Sequence, residues 1–194
     1  FPSNLGLFLS RQQFAIAVSM RIGAPVCDRF KCVCGQLVEK DGQHALTCRH
    51  GSGRHSRHHQ CNDLIARSLT SAGYPSLLEP SGLSRTDGKR PDGMSLLPWA
   101  RGRPVVWDFT CPGTLAKSNL KHSILEPGQT ALEAECRKRT KYAQISDNYM
   151  FVPIAIETHG AFGPSAVRFL GDLGKYLILK TGDRRERAFL VQTM

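Results

Sequence analysis

The chain has 194 residues, 41% of them apolar and 22% charged, which suits a globular protein with one sizeable core or one domain plus a small module. Its 26 Lys and Arg against 16 Asp and Glu leave a net charge of +10, pointing to a polyanionic partner, nucleic acid before an acidic membrane surface. No apolar run reaches the roughly 18 residues that a membrane-crossing helix requires, so no membrane-spanning helix and no membrane partner are expected. The sequence opens at Phe1 with neither an initiator methionine nor a signal peptide, and so reads as a segment of a larger protein.

In chain order, Ser10-Arg-Gln-Gln13 has the form of a capping box, with an apolar run from Phe14 to Ile22 behind it and Gly23 as the stop. Residues 25–53 are rich in Cys, Gly and His and read as an irregular metal loop. Cys61, Leu64, Ile65, Ser68, Leu69 and Ala72 recur at helical spacing up to Gly73. Strands are predicted at 76–79, 92–97 and 103–110, separated by Pro/Gly turns. A long helix is predicted over 130–146, a β-rich segment over 149–157, and helices near 165–179 and 184–191. Helix, three strands, helix, strand defines an α/β or α+β sandwich around a small mixed sheet. The expected division is a helical segment at 1–24, a zinc knuckle at 25–53 and the main domain at 54–194.

Seven cysteines, four of them crowded into residues 27–48, do not suit a disulfide framework; a reducing compartment, cytosol or nucleus, fits better. Cys32 and Cys34, then His44 and Cys48, offer the three thiolates and one imidazole that closed structural zinc sites use. Cys27 competes with Cys32 for one of these places. The following stretch from Arg49 to His59 holds three arginines and four histidines at a helix entrance. Such a run suits either a solvated face or phosphate contact, and Arg49, Arg54, Arg57 and His58 are the candidate DNA-binding residues.

The chemistry is expected at two aspartates. A hairpin folded about Ala100 sets Asp92 opposite Asp108, and opposed residues lie roughly 4.5–5.5 Å apart at Cα. Val106, Asp108 and Thr110 share one face of the second strand, while Val105, Trp107 and Phe109 pack the other. Two acids brought together repel unless a cation joins them, and Mg²⁺ or Mn²⁺ takes such oxygen ligands. On the long helix Ala131, Ala134, Lys138, Tyr142 and Ile145 form one stripe whose only charge is Lys138. Lys141 is the alternative lysine, and Leu132, Cys136 and Ala143 form a competing stripe.

The order of these motifs, Cys-x-Cys with His-x3-Cys, then residues 53–58 (Gly-Arg-His-Ser-Arg-His), then Arg90-Pro-Asp92, Asp108 and Lys138-x2-Lys141-Tyr142, resembles the C-terminal restriction-like endonuclease domain of site-specific non-LTR retrotransposons. That family joins a CCHC zinc knuckle to a PD-(D/E)XK nuclease, and the resemblance spans roughly residues 25–157. It implies a restriction-endonuclease-like αβββαβ core that nicks target DNA, working with a reverse transcriptase region of the same parent chain and its RNA in the nucleus. Asp92 matches the Pro-Asp acid and Asp108 the second metal ligand. The lysine normally two residues further on is Thr110 here; the family's shift of that lysine to the following helix favours Lys138, with Lys141 second. Glu79 matches an additional acid of the wider superfamily. Two other functions compete: a DNA-binding module, built on the same zinc and basic face, that has lost cleavage, and a protein-interaction domain.

Overall fold

A computed structural model describes residues 8–48, 50–83, 90–145 and 148–194 of the chain. The elements in order are α1 (Arg11–Ile22), β1 (Phe30–Lys31), β2 (Leu37–Val38), α2 (Gln43–Thr47), α3 (Ser52–Ser71), β3 (Ser76–Leu78), β4 (Gly93–Ala100), β5 (Arg103–Thr110), α4 (Leu120–Ser123), α5 (Gln129–Lys141), β6 (Met150–Ala155), α6 (Pro164–Thr181) and α7 (Glu186–Thr193). The fold is mixed α/β. One sheet has the order β3-β4-β5-β6, antiparallel except for the parallel pair β5 and β6. Among the described residues no helix is long and apolar enough to cross a membrane.

Alternation along β5 builds both layers. Val105, Trp107 and Phe109 join Ile65 and Leu69 of α3 and Phe169, Leu170 and Leu173 of α6 in the principal core. Val106 packs with Tyr142 and Ile145 in a smaller cluster on the other side. Ala131 and Ala134 of α5 close against Ala155. Small residues there let the helix lie near the sheet, and the predicted stripe is the buried one: Ala131, Ala134, Tyr142 and Ile145 are buried, whereas Cys136 and Ala143 are exposed.

Several boundaries differ from the sequence reading, each for a local reason. The capping box is present, with Ser10 and Gln13 bonded reciprocally and Gly23 left-handed beyond the helix. The metal loop is not irregular: it holds the β1–β2 hairpin and the short α2. The helix containing Cys61 begins at Ser52, because residues 52–60 are polar and give no apolar period. The helix predicted over 130–146 ends at Lys141 and is followed by a 3₁₀ turn at Ala143–Ile145; residue 146 lies outside the described residues. α4 had no periodic signal at four residues.

The hairpin also turns elsewhere than expected. Strand β4 runs to Ala100, which pairs with Arg103 across a two-residue turn at Arg101 and Gly102, both with positive φ. The register slips on either side of Pro98, which faces Pro104; neither proline has an N–H for the ladder. Past the slips Gly93 faces Trp107, so Asp92 falls against Asp108, one step beyond the last ladder pair.

Candidate active site and metal centre

Four ligand atoms, the thiol sulfurs of Cys32, Cys34 and Cys48 and a ring nitrogen of His44, lie within 4.8 Å of one another. The Cys32 and Cys48 sulfurs are 3.6 Å apart, near the ~3.8 Å edge of a tetrahedron with Zn–S bonds of about 2.3 Å, and His44 Nε2 is 3.2 Å from Cys34 Sγ. This Cys₃His set is compatible with zinc. Cys27 stands outside it, its thiol 3.5 Å from the Glu39 carbonyl, so the open place goes to Cys32. The backbone N–H of Cys34, with help from His44 and Cys48, holds the Cys32 thiol down to about 7 against burial. Against the lowering N–H of Gln36, burial and the neighbouring sulfurs raise Cys34.

The knuckle is fastened to the rest of the protein. Arg57 of α3 donates to the Leu46 carbonyl at 2.9 Å, the Thr47 methyl lies against Gly113, and Gln43 reaches His159 at 3.4 Å. Arg57 Nε is buried and donates to no partner among the described residues. Of the other basic candidates, Arg54 lines a cavity of about 470 Å³ with His55, His58, Phe109, Thr110 and Cys111. Arg49 lies outside the described residues.

That cavity adjoins Asp92 through two of its lining residues, His58 and Phe109. Asp108 is buried on the α5 side and pairs with Lys138, whose side chain is 24% exposed. Its Oδ2 is buried and, among the described residues, no directed hydrogen bond reaches it, so the ammonium charge is what compensates it. Lys141 goes elsewhere: its Nζ donates to Tyr142 Oη at 2.9 Å and lies over that ring. Tyr142 Oη in turn donates to the Arg90 carbonyl at 2.9 Å, tying the end of α5 to the segment that leads into Asp92.

Asp92 is engaged from the opposite layer. Its Oδ2 accepts the Phe109 N–H at 2.6 Å and lies 3.2 Å from His58 Nε2 on α3. The hydrogen bond to Asp92, then the charges of Asp92 and Asp108, raise the His58 pKa against burial and Lys138. The two carboxylates are thus opposed in register as expected, but α3 reaches one and α5 the other. Glu79 is beside them only through its backbone, its N–H donating to the Asp92 carbonyl at 2.9 Å; its side chain is exposed and its φ is +48°. Among the described residues, no group of three or more acids, histidines or cysteines gathers around Asp92, Asp108 and Glu79 as it does in the knuckle.

Two buried acids and one amide escaped the sequence reading. Glu135, one turn before Lys138, accepts the N–H groups of Ser165 and Ala166 at 2.9 and 3.0 Å, capping α6. Glu157 accepts the Ala131 N–H at 3.2 Å in the first turn of α5. Lys138 is therefore not the only charge on the buried side of α5, and the signal was available: Glu135 falls within about 40° of Ala131 on a helical wheel. Asn62 joins Trp107 to His58, a link between residues 45 positions apart that no periodicity reveals. No protein-family model matches the chain, and no curated protein is similar to it.

Proposed function

We propose that the chain is a metal-dependent DNA endonuclease domain of the restriction-like type, which nicks target DNA for the insertion of a retroelement. One observation carries the reading: Asp108 with Lys138 and Asp92 with His58 meet at one end of the β4–β5 pair, beside a cavity lined by Arg54 and His55. A buried carboxylate whose counter-charge is a lysine on the sheet-facing side of α5 is costly to keep as a structural pair.

In this reading Asp92 and Asp108 hold Mg²⁺ or Mn²⁺. The donor set fits a hard cation, since both are carboxylates and, among the described residues, the two contacts of Asp92 and the Lys138 ion pair of Asp108 fall on Oδ2 of each acid. Such a cation, when bound, polarises the scissile phosphate and acidifies a water. Lys138 neutralises charge developing on the phosphoryl oxygens, and Arg54 holds a flanking phosphate at the start of α3. Zinc in the knuckle is structural, and the partners are DNA, the reverse transcriptase region of the same parent chain and its RNA, in the nucleus. The αβββαβ order from α3 to β6 is the restriction-endonuclease-like core.

The test is plasmid nicking with Mg²⁺, Mn²⁺ or EDTA, comparing the wild type with Asp108→Ala. Metal-dependent nicking by the wild type alone supports the reading; equal nicking by both defeats it. A catalytically inactive DNA-binding module is the second reading, favoured by the fact that each aspartate is already matched by a protein cation or imidazole. Salt-sensitive DNA binding with no metal-dependent nicking selects it.

A further inference from the structure

We infer that Asn62 is a positioning residue for Asp92, acting through the ring of His58; the inference rests on the endonuclease reading for its consequence, not for its geometry. Trp107 is fully buried, and its indole N–H donates to Asn62 Oδ1 at 3.0 Å. An indole nitrogen only donates, so this contact fixes which end of the buried amide carries oxygen. Asn62 Nδ2 then faces His58 Nδ1 at 3.2 Å. An amide nitrogen also only donates, so Nδ1 accepts and the neutral ring carries its proton on Nε2. Nε2 is the atom 3.2 Å from Asp92 Oδ2. The donors run in one direction, from Trp107 through Asn62 and His58 to the carboxylate.

Helix geometry supplies the spacing, because His58 and Asn62 are four residues apart on one face of α3. Trp107 holds Asp92 by a second route as well. The Trp107 carbonyl accepts the Asp92 N–H at 3.0 Å. The indole also lies where a Cβ of residue 93 would stand, so the residue after Asp92 is necessarily glycine. Backbone and side chain of Asp92 are thus referred to the same buried indole. Groups that orient metal-binding side chains typically matter by about 10–100-fold in activity or metal affinity when removed.

Asn62→Asp separates polarity from packing. It keeps the size of the side chain and the acceptor for Trp107, but it presents only acceptors to His58. The ring then either carries its proton on Nδ1 or takes a second one and holds Asp92 as an ion pair against the metal; in both cases the neutral Nε2–H ring is lost. The expected result is nicking reduced about 10–100-fold, a raised Mg²⁺ half-saturation, and unchanged DNA affinity. In a His58→Ala background the same change should add less than about 2-fold, since the route is already cut. Wild-type nicking by Asn62→Asp, or a full additional loss in the His58→Ala background, overturns the inference. Imidazole ¹⁵N shifts at pH 8 provide a readout free of catalysis: a neutral Nε2–H ring in the wild type, and its replacement by an Nδ1–H or doubly protonated ring in Asn62→Asp, are expected. If the wild type fails to nick with either metal, the endonuclease reading fails, and an Nδ1–H ring in the wild type is what overturns the relay.

Discussion

Lys138 reaches Asp108 from the face of the sheet opposite to the one from which His58 reaches Asp92. The two contacts therefore depend on different helices, α5 and α3, and can be removed separately. Lys138→Ala should cut nicking by about 100-fold or more, whereas Lys141→Ala, whose ammonium lies on Tyr142 rather than on Asp108, should cost far less. The first change also leaves Asp108 buried without its counter-charge. Chemical denaturation should show a loss of about 1–3 kcal/mol, below the range for fully buried pairs because Lys138 is 24% exposed. Equal nicking by the two variants would remove Lys138 from its assigned role.

The knuckle should bind one zinc per chain, and metal removal should expose a graded set of thiols. With the Cys32 pKa lowered to about 7, half of that thiol is ionised near neutral pH, where an ordinary thiol is mostly protonated. Alkylation of reduced, metal-free protein, followed by mass spectrometry, should mark Cys32 first, its rate rising through about pH 7. Burial pushes Cys61 up to about 11, so it should stay unlabelled while the protein is folded. Zinc should suppress labelling of Cys32; a zinc-loaded protein that labels there at the metal-free rate would place the ion elsewhere.

Arg54 and Arg57 should behave differently although both belong to one basic run. Arg57 is bonded to the Leu46 carbonyl and fastens the knuckle to α3, so Arg57→Ala should lower stability by about 1–3 kcal/mol. Arg54→Ala should leave stability intact, weaken DNA binding on every sequence and reduce the salt slope by about one. Binding titrations at several salt concentrations check this, and an unchanged slope for Arg54→Ala would count against phosphate contact.

Glu135→Ala should be among the most damaging changes outside the acidic pair. It strips two N–H groups at the start of α6 of their acceptor and removes the anchor one turn from Lys138. A stability loss of about 2–4 kcal/mol is expected in urea, and Glu135→Gln, which keeps an acceptor oxygen, should recover part of it. Equal losses for the two would mean that packing, rather than the cap, is what the residue supplies.

What could be read in advance follows from the range of the interactions involved. Strand β5 has the predicted bounds because alternation, the flanking Gly102 and the end at Thr110 are all local. The opposition of Asp92 and Asp108 was legible too, although the turn assumed for it was misplaced and the slips around Pro98 made up the difference. The Cys₃His set was readable because its members lie within 17 consecutive residues, and only packing could decide between Cys27 and Cys32. His58 was singled out as a phosphate contact, but its nearest acid is Asp92, since the ring's surroundings come from α3, β5 and the start of β4 together. Glu135 and Asn62 are buried polar side chains whose partners lie 30 and 45 positions away, beyond any pattern in sequence.

Because neighbouring side chains of β5 serve opposite layers, Trp107 in the core and Asp108 at the site are separated by a single peptide bond. If the domain nicks DNA as proposed, a lineage of such domains can therefore fall silent without touching either aspartate or the lysine. Drift at Trp107, Gly93 or Asn62 would retain every residue by which an active copy is ordinarily recognised and still loosen the acid they hold. A survey of related chains that scores the acids and lysine alone would overcount working copies, and these three positions are the ones to add.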